Sequence, residues 1–211
     1  MRRQASNSPK SKRRGARGTV LVEAAVVMSM LLVPMLLGVI VVGFNVIRLL
    51  QVNQINRDAG HMFARGVDFS STASGAGSRA ILYQLAPSLT KSDSTGTAVT
   101  ILSLVQYVGP TICSNCANLR HAVFKQQIVL GNSGLKHSVY GTVPSGSMTT
   151  DGSFTVVNPT TDTAVRADGI LALLPMADGD IAYVSETYFS STDLRITGFS
   201  SPAGVYASAI F

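Results

Sequence analysis

The sequence predicts an α+β protein: a long N-terminal helix, apolar first and amphipathic after, followed by a small β-rich head. Three observations carry this expectation. An uncharged apolar run extends from Ala24 to Ile47. Apolar residues then recur at three- and four-residue intervals from Val52 to Phe63. Beyond about residue 97, short segments rich in β-branched and aromatic residues alternate with Gly, Pro, Asn and Asp.

The chain has 211 residues, enough for one modest domain besides the N-terminal segment. Its formal net charge of +6 is unevenly placed. Arg2, Arg3, Lys10, Lys12, Arg13, Arg14 and Arg17 lie in residues 1–18, which hold no acidic residue. In residues 19–211, ten basic side chains meet eleven acidic ones, leaving one net negative charge. The body therefore offers no cationic face, and no nucleic-acid partner is expected. A basic run directly before an apolar span instead sets membrane orientation, with the basic side cytoplasmic.

Residues 1–18 are rich in Ser, Lys, Arg and Gly, and read as a disordered leader. Residues 19–47 follow as a transmembrane helix, because about 20 apolar residues rising 1.5 Å each cross the roughly 30 Å hydrocarbon core. A secretory signal has a shorter apolar region and ends in a small-x-small cleavage site. The end of this run, "GFNVIRLLQ", offers no such site, so a retained membrane helix is expected. Pro34 removes one backbone donor within the span and is expected to kink it. Gly38 and Gly43 permit close helix approach, although without the four-residue spacing of GxxxG.

Residues 48–69 continue as an amphipathic extension. Val52, Ile55, Ala59, Met62 and Phe63 form one face, and Gln51, Asn53, Gln54, Asn56, Arg57 and Asp58 the other. A single helix from about residue 20 to 65 would be about 70 Å long; two helices broken near Arg48 are the alternative. Residues 70–78, "SSTASGAGS", read as a flexible joint. Residues 79–211 form the head. "RAILYQLAPSL" reads as a helix stopped near Pro87, and "TAVTILSLVQYV", "HAVFKQQIVL", "SVYGTV", "GSFTVV", "DIAYVSETYF" and "VYASAIF" as strands.

Few residues suggest chemistry. Cys113 and Cys116 form "CSNC", which in an exported domain reads as a disulfide closing a tight loop. A redox or free pair is one alternative, and a metal site with His121 and His137 another, although their spacing fits no strong finger pattern. "GAGSRA" follows no strand and is a Ser/Gly joint rather than a dinucleotide fingerprint. His61 falls on the polar helix face as a solvated residue. Asp178 and Asp180 read as turn residues before a strand rather than calcium ligands. HExxH, GxSxG and GxxxxGK[ST] patterns do not occur, and neither an active site nor a cofactor is expected.

The remaining anomaly is Glu23, which follows Gly18 and "TVLV" and opens the apolar run. An ionised carboxylate at membrane depth costs about 2.5–3.5 kcal/mol even on lenient scales. Gly18, Thr19-Val20-Leu21-Val22, Glu23 and the apolar helix resemble the class III signal of type IV pilin-like proteins. "RRGARGTVLVEAAVVMSMLLVPMLL" is most similar to TadE-like proteins of the tight-adherence pilus system, with Ala24 where that family carries phenylalanine or a similar residue. The resemblance implies cleavage between Gly18 and Thr19 by a prepilin peptidase, and assembly roles for Glu23 and the early Pro34. It also implies a non-enzymatic pseudopilin in the bacterial inner membrane, with its N-terminus cytoplasmic and its head periplasmic. Its partners would be other pilin-like subunits and the pilus assembly platform. A single-span envelope protein with an unrelated binding head, or a membrane-tethered thiol oxidoreductase using Cys113 and Cys116, are the alternatives.

Overall fold

The computed structural model describes residues 16–69, 77–87, 95–144, 153–190 and 204–211. One helix, α1 (Ala16–Ala64), is followed by α2 (Ser78–Leu85) and five strands. These are β1 (Ala98–Val108), β2 (His121–Gly131), β3 (Ser153–Thr155), β4 (Ile181–Ser190) and β5 (Gly204–Ile210). The expected α+β architecture with one long apolar helix and a β-rich head is what the chain adopts. The chain divides into two compact units, residues 1–45 and 46–211.

In the first unit, α1 begins at Ala16, so Ala16–Gly18 are helical although the sequence assigns them to a disordered leader; residues 1–15 lie outside the described residues. The helix continues through Pro34, and Ser29 Oγ donates to the Ala25 carbonyl at 2.8 Å. Apolar side chains point outward all round it, from Val20 and Leu21 to Phe44.

In the second unit the same helix becomes one-sided, as its spacing predicts. Val52, Ile55, Ala59 and Phe63 are buried, with Met62 partly so, while Gln51, Asn53, Gln54 and Arg57 remain exposed. Asn56 departs from the expected polar face and is only 1% exposed. The helix runs unbroken past Arg48 and ends at Ala64, close to the end near residue 65 expected of a single helix though short of the 48–69 extension. It stops there because the chain forms a Schellman cap. Gly66 takes φ +81°, its N–H donates to Phe63, and the Val67 N–H donates to Met62. Residues 70–76 of the expected joint lie outside the described residues, and Ser78 already belongs to α2. That helix stops at Leu85, before Pro87, as a proline dictates.

The sheet is wholly antiparallel in the order β3-β2-β1-β4-β5, with β1 central. Alternation along β1 divides its side chains between two cores. Leu102, with Ile128 and Leu130 of β2, meets Ala59, Phe63, Phe69 and Leu82. On the other face Val105, Phe124, Ala182 and Val184 pack with Tyr140, Ala167 and Ile170. A register shift at Leu104/Val105 leaves Lys125 without a counterpart on β1, a bulge that bends β2.

One expected strand is absent. "SVYGTV" is irregular in the structure, because its polar backbone groups find other partners. The Val139 N–H donates to Glu186 Oε1 at 2.9 Å, and the Tyr140 carbonyl accepts from the Gly169 N–H. Gly141 lies so close to the Arg166 carbonyl and the Phe124 ring that a Cβ would collide with them.

The packing of α1 on the sheet is tied by polar groups. Asn56 Oδ1 accepts from Ser185 Oγ at 2.8 Å and Thr187 Oγ1 at 3.1 Å, and Ser185 Oγ also reaches the Asn56 carbonyl at 2.9 Å. Thr187 Oγ1 in turn lies 3.1 Å from Thr100 Oγ1. Removing the amide would strand buried hydroxyls, a loss of about 1–3 kcal/mol. Asn56→Ala should therefore destabilise the head by that amount in urea unfolding of the detergent-solubilised chain, with Asn53→Ala on the exposed face near neutral. Equal stability of the two variants would contradict the network.

Candidate functional site

Two places hold the residues singled out by the sequence, one in each unit. Gly18, Thr19, Glu23 and Pro34 all lie on α1 and are exposed. A Cβ added at Gly18 would meet nothing within 4 Å. Glu23 is flanked by Val20, Leu21, Val22, Val26 and Val27, each at least 60% exposed. Among the described residues α1 is the one helix long and apolar enough to cross a membrane. Apart from the Thr19 hydroxyl one turn earlier, the helical repeat sets this carboxylate among alkyl side chains, an arrangement that water alone would make unremarkable and hydrocarbon would penalise.

The second place is the loop joining β1 to β2, which carries Cys113 and Cys116. Both are free thiols, half-buried against a cluster of Val108, Val123, Phe154 and Val165, so the predicted disulfide is not formed in this structure. The two side chains interact. Burial, then the neighbouring Cys113 thiol, pushes the Cys116 thiol up from its ordinary value. An upward shift is opposite to what activates a redox nucleophile.

Bonds that do not involve sulfur hold this loop. The N–H groups of Ile112 and Cys113 both donate to the Gly109 carbonyl, and the Leu119 N–H donates to Cys116. Asn118 is fully buried. Its Nδ2 donates to the carbonyls of Pro159 (2.8 Å) and Asp162 (2.6 Å), and its Oδ1 accepts from Arg166 Nε at 2.9 Å. Arg166 also reaches the Ala117 carbonyl at 2.6 Å. Arg120, at φ +66°, turns the chain into β2.

Asp178 acts as the turn residue that its sequence context suggests. Its Oδ2 accepts from the Thr111 N–H at 2.6 Å, and Asp180 Oδ2 accepts from the Ala177 N–H at 2.6 Å. His121 Nδ1 lies 2.8 Å from Asp168 Oδ2, whereas His137 is exposed. Among the described residues no group of three or more His, Cys, Asp or Glu is placed to hold a metal ion. His61 is exposed, as the polar helix face predicts, and its ring also packs 4.5 Å from that of Phe211.

Sequence reasoning passes over Glu186, which alternation hides within "IAYVSETYF". Only 2% exposed, it accepts from Tyr206 Oη at 2.7 Å as well as from Val139. Burial, then this carboxylate, drives the Tyr206 hydroxyl far above its ordinary value, so it remains a donor. No family model, curated protein or solved structure matches the chain.

Asp178 supplies a pH test of the loop. Partial burial works against its carboxylate, but hydrogen bonds from the Thr111 hydroxyl and N–H and the Gly109 N–H outweigh it and lower its pKa from 3.8. A lowered folded-state pKa stabilises above the unfolded value, and that contribution is lost as pH falls through the folded one. Asp178→Asn should therefore melt below the parent at pH 6, with the gap closing as pH falls below 3.8. A gap independent of pH would show that the carboxylate charge is not what holds the turn.

Proposed function

We propose that this chain is a non-enzymatic pilus-assembly protein, a TadE-like pseudopilin that associates with other pilin-like subunits through α1. The observation that carries the reading is Glu23, an exposed carboxylate on an apolar helix, five residues after Gly18. In a lone membrane helix that group is a burden. Beside the α-ammonium of an adjoining subunit, freed by cleavage between Gly18 and Thr19, it would gain a counter-charge where the dielectric is low. The basic leader then holds the scissile bond at the cytoplasmic face and sends the head to the periplasm. A prepilin peptidase and the pilus assembly platform are the further partners of this reading. Pro34 belongs to the same helix, where a lost backbone bond is tolerable because packed neighbours can re-satisfy it.

Determination of the mature N-terminus is the direct test. Coexpressed with a prepilin peptidase, the chain should begin at Thr19, and Gly18→Val should keep the leader. Intact Met1 species in peptidase-positive cells would defeat the reading.

Glu23 is tested separately. Glu23→Ala should leave membrane insertion and leader cleavage unchanged, since losing a charge does not hinder insertion. Crosslinking to pilin-like subunits should nevertheless fall, because a partner's ammonium would be left uncompensated, a loss of about 3 kcal/mol. Glu23→Gln should lie between. Undiminished crosslinking of the Ala variant would reduce Glu23 to a residue of the membrane boundary.

A further inference from the structure

We propose that Cys113 and Cys116 form an oxidation site that closes after folding: the folded loop presents a ready-made dithiol, and an external disulfide converts it to an intramolecular bond. The proposal is independent of the pilus reading. It rests on where the loop gets its shape.

Residues 109–120 are fixed at both ends without either sulfur. Asp178 holds the Thr111 N–H, the Gly109 carbonyl receives two N–H groups, and the buried Asn118 amide binds Pro159, Asp162 and Arg166. Within that frame the thiols interact with each other and rest on Val108, Val123, Phe154 and Val165. The fold therefore brings the sulfurs together, and the bond need not organise the loop. A pair held in contact reacts as though at very high local concentration, so a mixed disulfide on one cysteine is resolved by the other. Both thiols are half-buried rather than sealed, which leaves an approach for a small disulfide.

The chemistry balances with a disulfide as oxidant. One cysteine thiolate attacks a sulfur of the oxidant, whose S–S bond breaks and releases one thiol, the proton passing through water. The second cysteine thiolate attacks the chain-side sulfur of the mixed disulfide and expels the other thiol. Two electrons pass from the chain to the oxidant, and two protons end on the released thiols.

The test uses the full chain in detergent micelles, reduced and then exposed to oxidised glutathione. Mass spectrometry should show loss of two hydrogens with no glutathione retained, and maleimide labelling should fall from both cysteines to none. Circular dichroism should be unchanged between the two forms. The melting temperature should rise by roughly 3–6 °C, the entropic effect of so short a ring, and return on reduction. Cys113→Ser and Cys116→Ser should each trap one glutathione, lacking the resolving thiol. Three results would overturn the proposal: thiols that stay free, a parent that retains glutathione, or closure that requires urea or lowers the melting temperature.

Discussion

The head depends on a buried amide. Asn56 interrupts the apolar stripe of α1, and its Oδ1 is the common acceptor for Ser185 and Thr187 of β4. An amide and hydroxyls withdrawn from water without partners cost several kcal/mol, whereas paired they cost little. Hydrophobic contact alone lets a helix slide or rotate on a sheet; this network has one satisfied position. The neighbouring residues are chosen to suit it. Ala59 is wholly buried, and a Cβ on Gly60 would collide with the Phe211 ring. Phe211 exchanges backbone hydrogen bonds with Tyr183 on β4. Helix, central strands and the final residue thus set one another's positions.

The same helix meets two solvents. Over residues 52–64 its apolar side chains are sorted to one face, and the head supplies the partner surface. Before that point they are not sorted at all, and they remain exposed around the whole circumference. A continuous apolar surface of that extent is far beyond what water tolerates. Lipid or other helices are the remaining surroundings, and they treat Glu23 differently. Lipid alone penalises it, whereas a partner carrying a positive charge is drawn to it.

What was legible in the sequence follows from which signals are local. The helical stripe Val52–Phe63 and the strands at Ala98–Val108, His121–Gly131 and Ile181–Ser190 are periodic, and periodicity survives into the fold. Asn56 was illegible because a polar residue on a helix is ordinarily solvated, and its partners lie some 130 positions away in the chain. Val139 and Tyr140 have strand-like neighbours, but the Val139 N–H is committed to Glu186 and the Tyr140 carbonyl to Gly169, contacts that no window around them contains. His61 is exposed, as its place on the polar face predicts; what no local window contains is its ring contact with Phe211. The sequence isolates Glu23 and the cysteine pair as anomalies. It reveals neither that Asn118 and Arg166 anchor the loop nor that Glu186 lies beneath Val139.

The antiparallel sheet also separates the two features within the head. Arg48, Val52 and Ile55 of α1 gather with Thr97, Phe189 and Ser190, at the beginning of β1 and the end of β4. The cysteine loop leaves the other end of β1, and the turn of Asp178 enters the opposite end of β4. Eleven residues of extended β1 lie between, roughly 33 Å at the usual rise. Sites so far apart without shared partners combine nearly additively. The loop's cysteines and the start of the head's helix are therefore independent in the head's energetics: changing the redox state at one end leaves the packing of α1 at the other end as it was. Only a change transmitted along β1 or β4 would link them, and the hydrogen bonds of Thr100, Ser185 and Thr187 hold those strands in register beneath the helix.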